Sequence, residues 1–162
     1  MEPSKQLRQL RPKNLYAVFY PVKYLFFASL IMAGGYYLKP YLPEDILRYS
    51  VAGLVGILLI FYILHFLYIK SIVYTVTEEQ ISFKRGIFTI TTDYIELYRV
   101  LDFTSVRSFL LRFIGGMTFK METTDKSHPV FELTGIPKTN IEHLIRQLVE
   151  ENRSRKNVYV TE

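Results

Sequence analysis

The sequence predicts a membrane-spanning α-helical hairpin followed by a mainly-β domain that one C-terminal helix closes. Three observations carry this. Tyr49 to Ile69 is a run of 21 uncharged, mostly apolar residues fenced by Arg48 and Lys70, the length an α-helix needs to cross about 30 Å of hydrocarbon. Its apolar residues surround the helix instead of forming a stripe, which rules out a core helix of a small soluble domain. A shorter apolar stretch precedes it, and after Lys70 the texture changes to short runs with period-two alternation.

The first span is built around Tyr24 to Leu38, 15 uncharged residues between Lys23 and Lys39. The approach from Leu15 to Val22 lengthens it, Lys23 can snorkel to the headgroups, and Pro21 suits a first helical turn. Tyr16, Tyr20 and Tyr24 at one end, and Tyr36, Tyr37 and Tyr41 at the other, read as interfacial belts. A cleaved signal peptide is the competing reading. The charged region ahead of the apolar run is long, no A-x-A site follows it and a second span comes next, so a retained helix is expected. Residues 39–48 form the connection, with Pro43, Glu44 and Asp45 able to start the second helix. Lys5, Arg8, Arg11, Lys13 and Lys23 precede the first span, against Lys39 and Arg48 in the loop. The positive-inside bias therefore puts both termini in the cytoplasm. Residues 1–23 are then a basic tail and approach to the interface, and 24–69 the hairpin with its short external loop. Within it, Ser29-xxx-Ala33 and Ala52-xxx-Gly56 are small-residue pairs that permit close helix packing, within the hairpin first and between copies second. His65 is ionisable and lies in a span, but near the inner interface, where a structural imidazole is expected.

From residue 70 to 153 the pattern is that of a compact β domain. Tyr74 to Thr77 is β-branched and is followed by a turn at Glu78-Glu79. Ile81 and Phe83 alternate with Ser82 and Lys84, Arg85-Gly86 supplies a hairpin turn, and Phe88 and Ile90 alternate with threonines in the returning strand. Ile95, Leu97 and Val100 to Val106 give further extended stretches. Gly115-Gly116 reads as a strand start or bulge, leading into Met117, Phe119 and Met121 on one face. Thr124 to Pro129 is a turn cluster and Val130 to Leu133 the next strand. Short strands at close intervals argue for an antiparallel sandwich or barrel. Thr139 or Asn140 can cap a final helix whose Ile141, Leu144, Ile145, Leu148 and Val149 form a stripe that must be buried. Residues 154–162 are a polar tail, although Val158 to Val160 could pair with a sheet edge.

Several chemistries find no support. The chain has no cysteine and hence no disulfide, thiolate nucleophile or thiolate metal site. The net charge of +5 is not carried by the β domain: from Lys70 onward there are 13 Lys+Arg against 12 Asp+Glu. Nucleic-acid binding is not expected on that balance. His65, His128 and His143 have no ligand spacing, and no nucleophile elbow or phosphate-cradling glycine loop is present. No catalytic residue, metal, cofactor or small-molecule substrate is expected.

Three stretches together resemble the bacterial pleckstrin-homology-like (PH) domain family: Tyr74 to Gly86, Ile95 to Asp102 and Phe109 to Thr123, with Leu133 to Pro137 leading into a helix. The two spans ahead of them are similar to a membrane-anchored form of that family. The resemblance implies a PH-like split barrel of about seven strands capped by one C-terminal helix, without catalytic residues, at the bacterial cytoplasmic membrane.

With so short a connection after the second span, the barrel should hang close to the inner leaflet. Its candidate lipid or partner contacts are Lys84 and Arg85 at a hairpin tip, Arg107 and Arg112 around the apolar Phe109, Leu110 and Leu111, and Lys120. Five of the six residues Phe109 to Ile114 are apolar, so this segment is either core or a surface for lipid or a partner. The leading expectation is a non-enzymatic module that assembles or recruits a protein complex, or a homo-oligomer, at the membrane. The alternatives are a binder of anionic phospholipid headgroups and an accessory subunit of a membrane enzyme or transport complex.

Overall fold

In the computed structural model, residues 6–126, 129–138 and 140–156 are described. The described residues open with a strand, β1 (Gln6–Leu10), ahead of the membrane-length helices. It then forms α1 (Asn14–Phe19), α2 (Val22–Leu38) and α3 (Glu44–Ser71). Six strands follow: β2 (Val73–Thr77), β3 (Gln80–Arg85), β4 (Thr91–Glu96), β5 (Val100–Val106), β6 (Gly116–Thr123) and β7 (Val130–Pro137). A one-turn helix α4 (Phe109–Phe113) lies between β5 and β6, and α5 (Ile141–Arg155) ends the fold. The strands make two antiparallel sheets, β1-β2-β3-β4 and β5-β6-β7. Seven strands and a closing helix are therefore present as expected, but one strand comes from the stretch that reads as a tail. Val158 to Val160, His128 and Thr139 lie outside the described residues.

The helical hairpin is an insertion between two neighbouring strands. Leu10 of β1 pairs with Tyr74 of β2, and Gln9 with Thr75, so the chain leaves the sheet after β1, runs through α1 to α3 and returns into the adjacent position. Leu10 is part of the barrel core, which makes β1 integral to it. The tail reading fails here because β1 carries a register irregularity between Gln6 and Arg8; a bulged strand does not show clean alternation.

The alternation of the later strands does point where it should. Tyr74 and Val76 of β2, Ile81 of β3 and Met117, Phe119 and Met121 of β6 are all buried in one core with Ile95, Leu97 and Leu133. Ile141, Ile145, Leu148 and Val149 of α5 close that core, each large apolar side chain contributing about 1.5–3 kcal/mol on burial. Asn140 sits at the N-cap of α5 without a side-chain capping bond. At the other end of the helix, the buried Asn152 donates from Nδ2 to the carbonyl of Glu78 at 2.6 Å and to that of Leu148 at 2.7 Å. It thereby fixes α5 to the β2–β3 turn.

Two expected details change. The β3–β4 connection is not a tight Arg85-Gly86 turn; Arg85 pairs with Thr91, and residues 86–90 form a loop outside the ladder. Gly86 has φ +124°, and a Cβ there would lie 1.8 Å from the Thr89 carbonyl oxygen, so the loop closes compactly on glycine. Phe88 and Ile90, whose alternation with threonine mimics a strand, lie in this loop and not in β4. The Phe109–Ile114 segment is likewise neither all core nor all surface. It is a turn of helix whose Leu111 and Ile114 are buried while Phe109 and Phe113 are 90% and 80% exposed.

Asn14–Leu38 and Glu44–Ser71 are long and apolar enough to cross a membrane. They pack against each other at Gly35, where a Cβ would stand 2.7 Å from Cγ2 of Val51. Ala28 is buried in the same hairpin. Ser29, Ala33 and Ala52 are exposed, nothing lies within 4 Å of a Cβ at Gly56, and Ser29 Oγ donates to the Phe26 carbonyl. The seam thus uses Ala28 and Gly35, and the two small-residue pairs mostly line its outside. His65 is held among the rings of Tyr20 (5.7 Å), Tyr24 (5.8 Å) and Tyr68 (6.3 Å).

Candidate functional site

The end of α3, the base of the four-stranded sheet and the loop after β3 converge, and their convergence forms the candidate site. One residue, Ile72, separates α3 from β2. A second apolar cluster locks this joint: Tyr16 and Ala17 of α1 and Phe66 and Ile69 of α3 pack on Leu111 and Ile114 beside α4. Polar contacts reinforce it. Lys13 Nζ donates to the Ile114 carbonyl at 2.9 Å, its backbone N–H donates to the Gly135 carbonyl at 2.9 Å, and Lys70 Nζ donates to Asn14 Oδ1 at 2.7 Å. With these contacts added to the chain passing twice through the joint, the barrel and the helix bases form one packed unit.

On the outer face of this sheet lies a groove of about 610 Å³. Its floor follows from strand alternation: Tyr74, Ile81 and Ile95 point into the core, so Thr75, Ser82, Lys84 and Tyr94 point out. The pairing sets Ser82 opposite both Thr75 and Tyr94, and Lys84 opposite Val73 and Thr92. Arg11, Lys70, Lys84 and Arg85 line the groove, and no acidic residue is among its lining. Arg85 is the most constrained of the four. Its guanidinium pairs with Asp93 at 3.1 Å and lies 4.9 Å from the centre of the Phe83 ring. Serine, threonine and tyrosine hydroxyls interleave with the cations, so the groove offers both charge and hydrogen-bond donors to an anion.

The structure brings some of the predicted residues together and separates others. Lys84 and Arg85 share the groove, joined by Arg11 and Lys70. Arg107 is apart, lining a hollow of about 180 Å³ with Lys138, Glu142 and His143. Arg112 is exposed in the last turn of α4, Leu110 is half-buried there, and Lys120 is paired across the sheet with Glu132. Arg11, in the groove lining, and Lys13, bonded in the joint, are cations that the sequence discloses only as part of a basic stretch ahead of the first span. The signal that could have found them is Leu10 just ahead, which suits the last core position of a strand. Among the described residues, no group of three His, Asp or Glu side chains is placed to hold a metal ion.

Two antiparallel sheets of four and three strands, with one helix laid over their shared core, define a PH-like split barrel. The chain belongs to the family described as Bacterial PH domain, whose family model matches residues 19–152. That match takes in α2, α3 and the barrel from β2 into α5, and leaves β1 and nearly all of α1 ahead of it. No curated protein and no solved structure matches the chain.

Proposed function

We propose that this chain is a non-catalytic, membrane-anchored PH-like module that engages anionic phospholipid headgroups at the inner face of the membrane. The observation that carries the reading is the groove lined by Arg11, Lys70, Lys84 and Arg85 at the end of α3, with no acidic lining residue. A helix that leaves hydrocarbon at its last turn sets the adjacent cations at headgroup level, where each contributes roughly 1 kcal/mol toward an anionic surface. The insertion of the hairpin between β1 and β2 supports an even number of crossings, with the barrel and both termini on one side. The cations ahead of α1 support the cytoplasmic side.

The test uses the full-length protein in mild detergent, with retained lipids identified by native mass spectrometry. Neutralising two groove cations (Arg11→Gln with Lys84→Gln) is expected to lower the preference for phosphatidylglycerol over phosphatidylcholine. The loss is about 2 kcal/mol, or roughly thirtyfold. Lys126→Gln, in the β6–β7 turn away from the groove, should leave the preference intact. An unchanged preference in the double variant sinks the headgroup reading.

A second reading, recruitment of a protein partner, is favoured by the outer edge of β5. Among the described residues this strand is paired with β6 alone. Its first half is already occupied: Arg153 donates to the carbonyls of Val100 and Leu101, and the Phe103 N–H donates to Asp102 Oδ1 at 2.7 Å. From Thr104 to Val106 the edge is exposed beside a hollow of about 170 Å³ that Phe103, Glu142 and Arg146 help to line. A short extended segment could add there by strand pairing. The half-closed edge is why this reading ranks second to the groove.

A further inference from the structure

We propose that the barrel carries two apolar wedges, the β3–β4 loop and the outer face of α4, which seat in the inner leaflet beside the end of α3. The inference rests on the reading of the hairpin as membrane-spanning, and adds a contact that neither the spans nor the groove requires.

The exposures are the first observation. Among the described large hydrophobic residues after the hairpin, Phe109, Phe88 and Phe113 are the most exposed, at 90%, 89% and 80%, and Ile90 follows at 61%. Apolar side chains exposed together, as Phe109 with Phe113 on α4 and Phe88 with Ile90 in the loop, mark an interaction surface where they form a patch. Their placement is the second observation. The Gly86 N–H donates to Ser71 Oγ at 3.1 Å, which ties the loop to the last residue of α3. On the other sheet, α4 packs Leu111 and Ile114 against Phe66 and Ile69, within the last two turns of α3. Phe109 and Phe113 are spaced i, i+4 and so share the opposite face of that turn.

Both wedges therefore sit at the level where an apolar helix ends, and that level identifies the occupant. Tyr20, Tyr24 and Tyr68 gather around His65 in the last turns of α3, and tyrosine prefers the membrane boundary. Each wedge also has cations beside it, Lys84 and Arg85 at the loop and Arg107 and Arg112 at α4. Their long side chains can reach phosphate while the rings lie deeper. A lipid surface satisfies both features at both wedges; an apolar protein partner would leave Lys84, Arg107 and Arg112 without a counterpart, Arg85 being already paired with Asp93. The loop turns at Gly86, whose φ of +124° and closeness to the Thr89 carbonyl leave no room for a side chain.

The chain contains no tryptophan, which makes single-tryptophan variants of the full-length protein clean reporters. Phe88→Trp and Phe113→Trp would be reconstituted in phosphatidylcholine vesicles containing phosphatidylglycerol. Phe61→Trp inside α3 and Tyr98→Trp at the far end of the barrel serve as controls. Quenching by lipids brominated near the top of the acyl chain is compared with quenching by aqueous iodide. The expected result is bromolipid quenching at positions 88 and 113 approaching that at 61, with iodide quenching several-fold below that at 98. Iodide quenching at 88 or 113 equal to that at 98, with 61 still lipid-quenched, overturns the wedges and leaves the spans standing. Loss of lipid quenching at 61 overturns the membrane-spanning reading, and the wedges with it. A position shielded from both quenchers marks a protein contact and also overturns the proposal.

Discussion

Tyr74 stands where the two sheets approach each other, and one hydroxyl serves both. The Thr134 N–H donates to its Oη at 3.0 Å, and the ring stacks 5.1 Å from that of Phe83. Burial pushes its phenol well above the ordinary value of 10.0 because the ionised form would lie inside the core. The sign follows from that direction. The folded state holds the proton more tightly than the unfolded chain, so this group's contribution to stability is complete below about pH 10 and is lost as pH rises further. Tyr74→Phe removes the titrating group but strands the Thr134 N–H. At neutral pH the variant is expected to be less stable by about 1–3 kcal/mol, and above pH 10 its stability should fall less steeply than that of the parent. Chemical denaturation of the detergent-solubilised protein at both pH values measures this; equal pH dependence in the two proteins would show that Tyr74 is not the group that resists ionisation.

At the scale of elements, what the sequence discloses depends on whether burial is periodic. β2, β3, β6 and α5 are legible because one face is core and the other is not, so the alternation of Met117, Phe119 and Met121 is enough to announce a strand. β1 is not legible, since its bulge breaks the alternation and its arginine reads as solvated. The loop at residues 86–90 misleads for the opposite reason: it alternates, yet its apolar residues face out. The α1–β7 contact is invisible in sequence because a glycine makes it. Gly135 has φ +74° within β7, and a Cβ there would lie 2.5 Å from Cδ1 of Tyr16. Gly135→Ala is accordingly expected to cost about 1–3 kcal/mol in backbone strain and to push α1 off the barrel. Tryptic cleavage after Lys13 should then accelerate; Pro12 blocks cleavage after Arg11. Gly34→Ala in α2, where nothing lies within 4 Å of a new Cβ, should leave that cleavage unchanged and stabilise the helix by up to about 1 kcal/mol. Equal cleavage in the parent and in both variants would mean that Gly135 does not hold the joint.

For the whole molecule, the near-neutral balance of 13 Lys+Arg against 12 Asp+Glu after the hairpin, Lys70 included, hides a segregation that the fold creates. Lys70, Lys84, Arg85, Arg107, Arg112 and Lys138 gather toward the end of the barrel that meets the helices. Glu78, Glu79, Glu96, Asp125, Glu150 and Glu151 lie toward the opposite end, where they are nearly balanced by Arg99, Lys126, Arg153, Arg155 and Lys156. Arg99 is paired there with Glu96 at 2.9 Å and Asp125 at 3.4 Å, and Arg155 with Glu151 at 3.8 Å. A sequence sum cannot reveal this, because strands running up and down return successive charges to opposite ends. The same reversal explains why the groove is half legible: Lys84 and Arg85 are neighbours in sequence, whereas Arg11 and Lys70 reach them only through the β1–β2 pairing and the end of α3. A basic end beside the helices with a nearly neutral far end is what a barrel held against an anionic leaflet would carry. It makes a definite claim about sidedness, and the absence of cysteine allows a direct test. Tyr41→Cys, in the loop between α2 and α3, should react with a membrane-impermeant maleimide added to intact cells. Lys126→Cys, in the turn after β6, should react only after the membrane is opened. Labelling of the barrel position in intact cells would put the barrel on the outer face, whether or not the loop is labelled with it. That result would take the groove away from the anionic inner leaflet on which its proposed role depends.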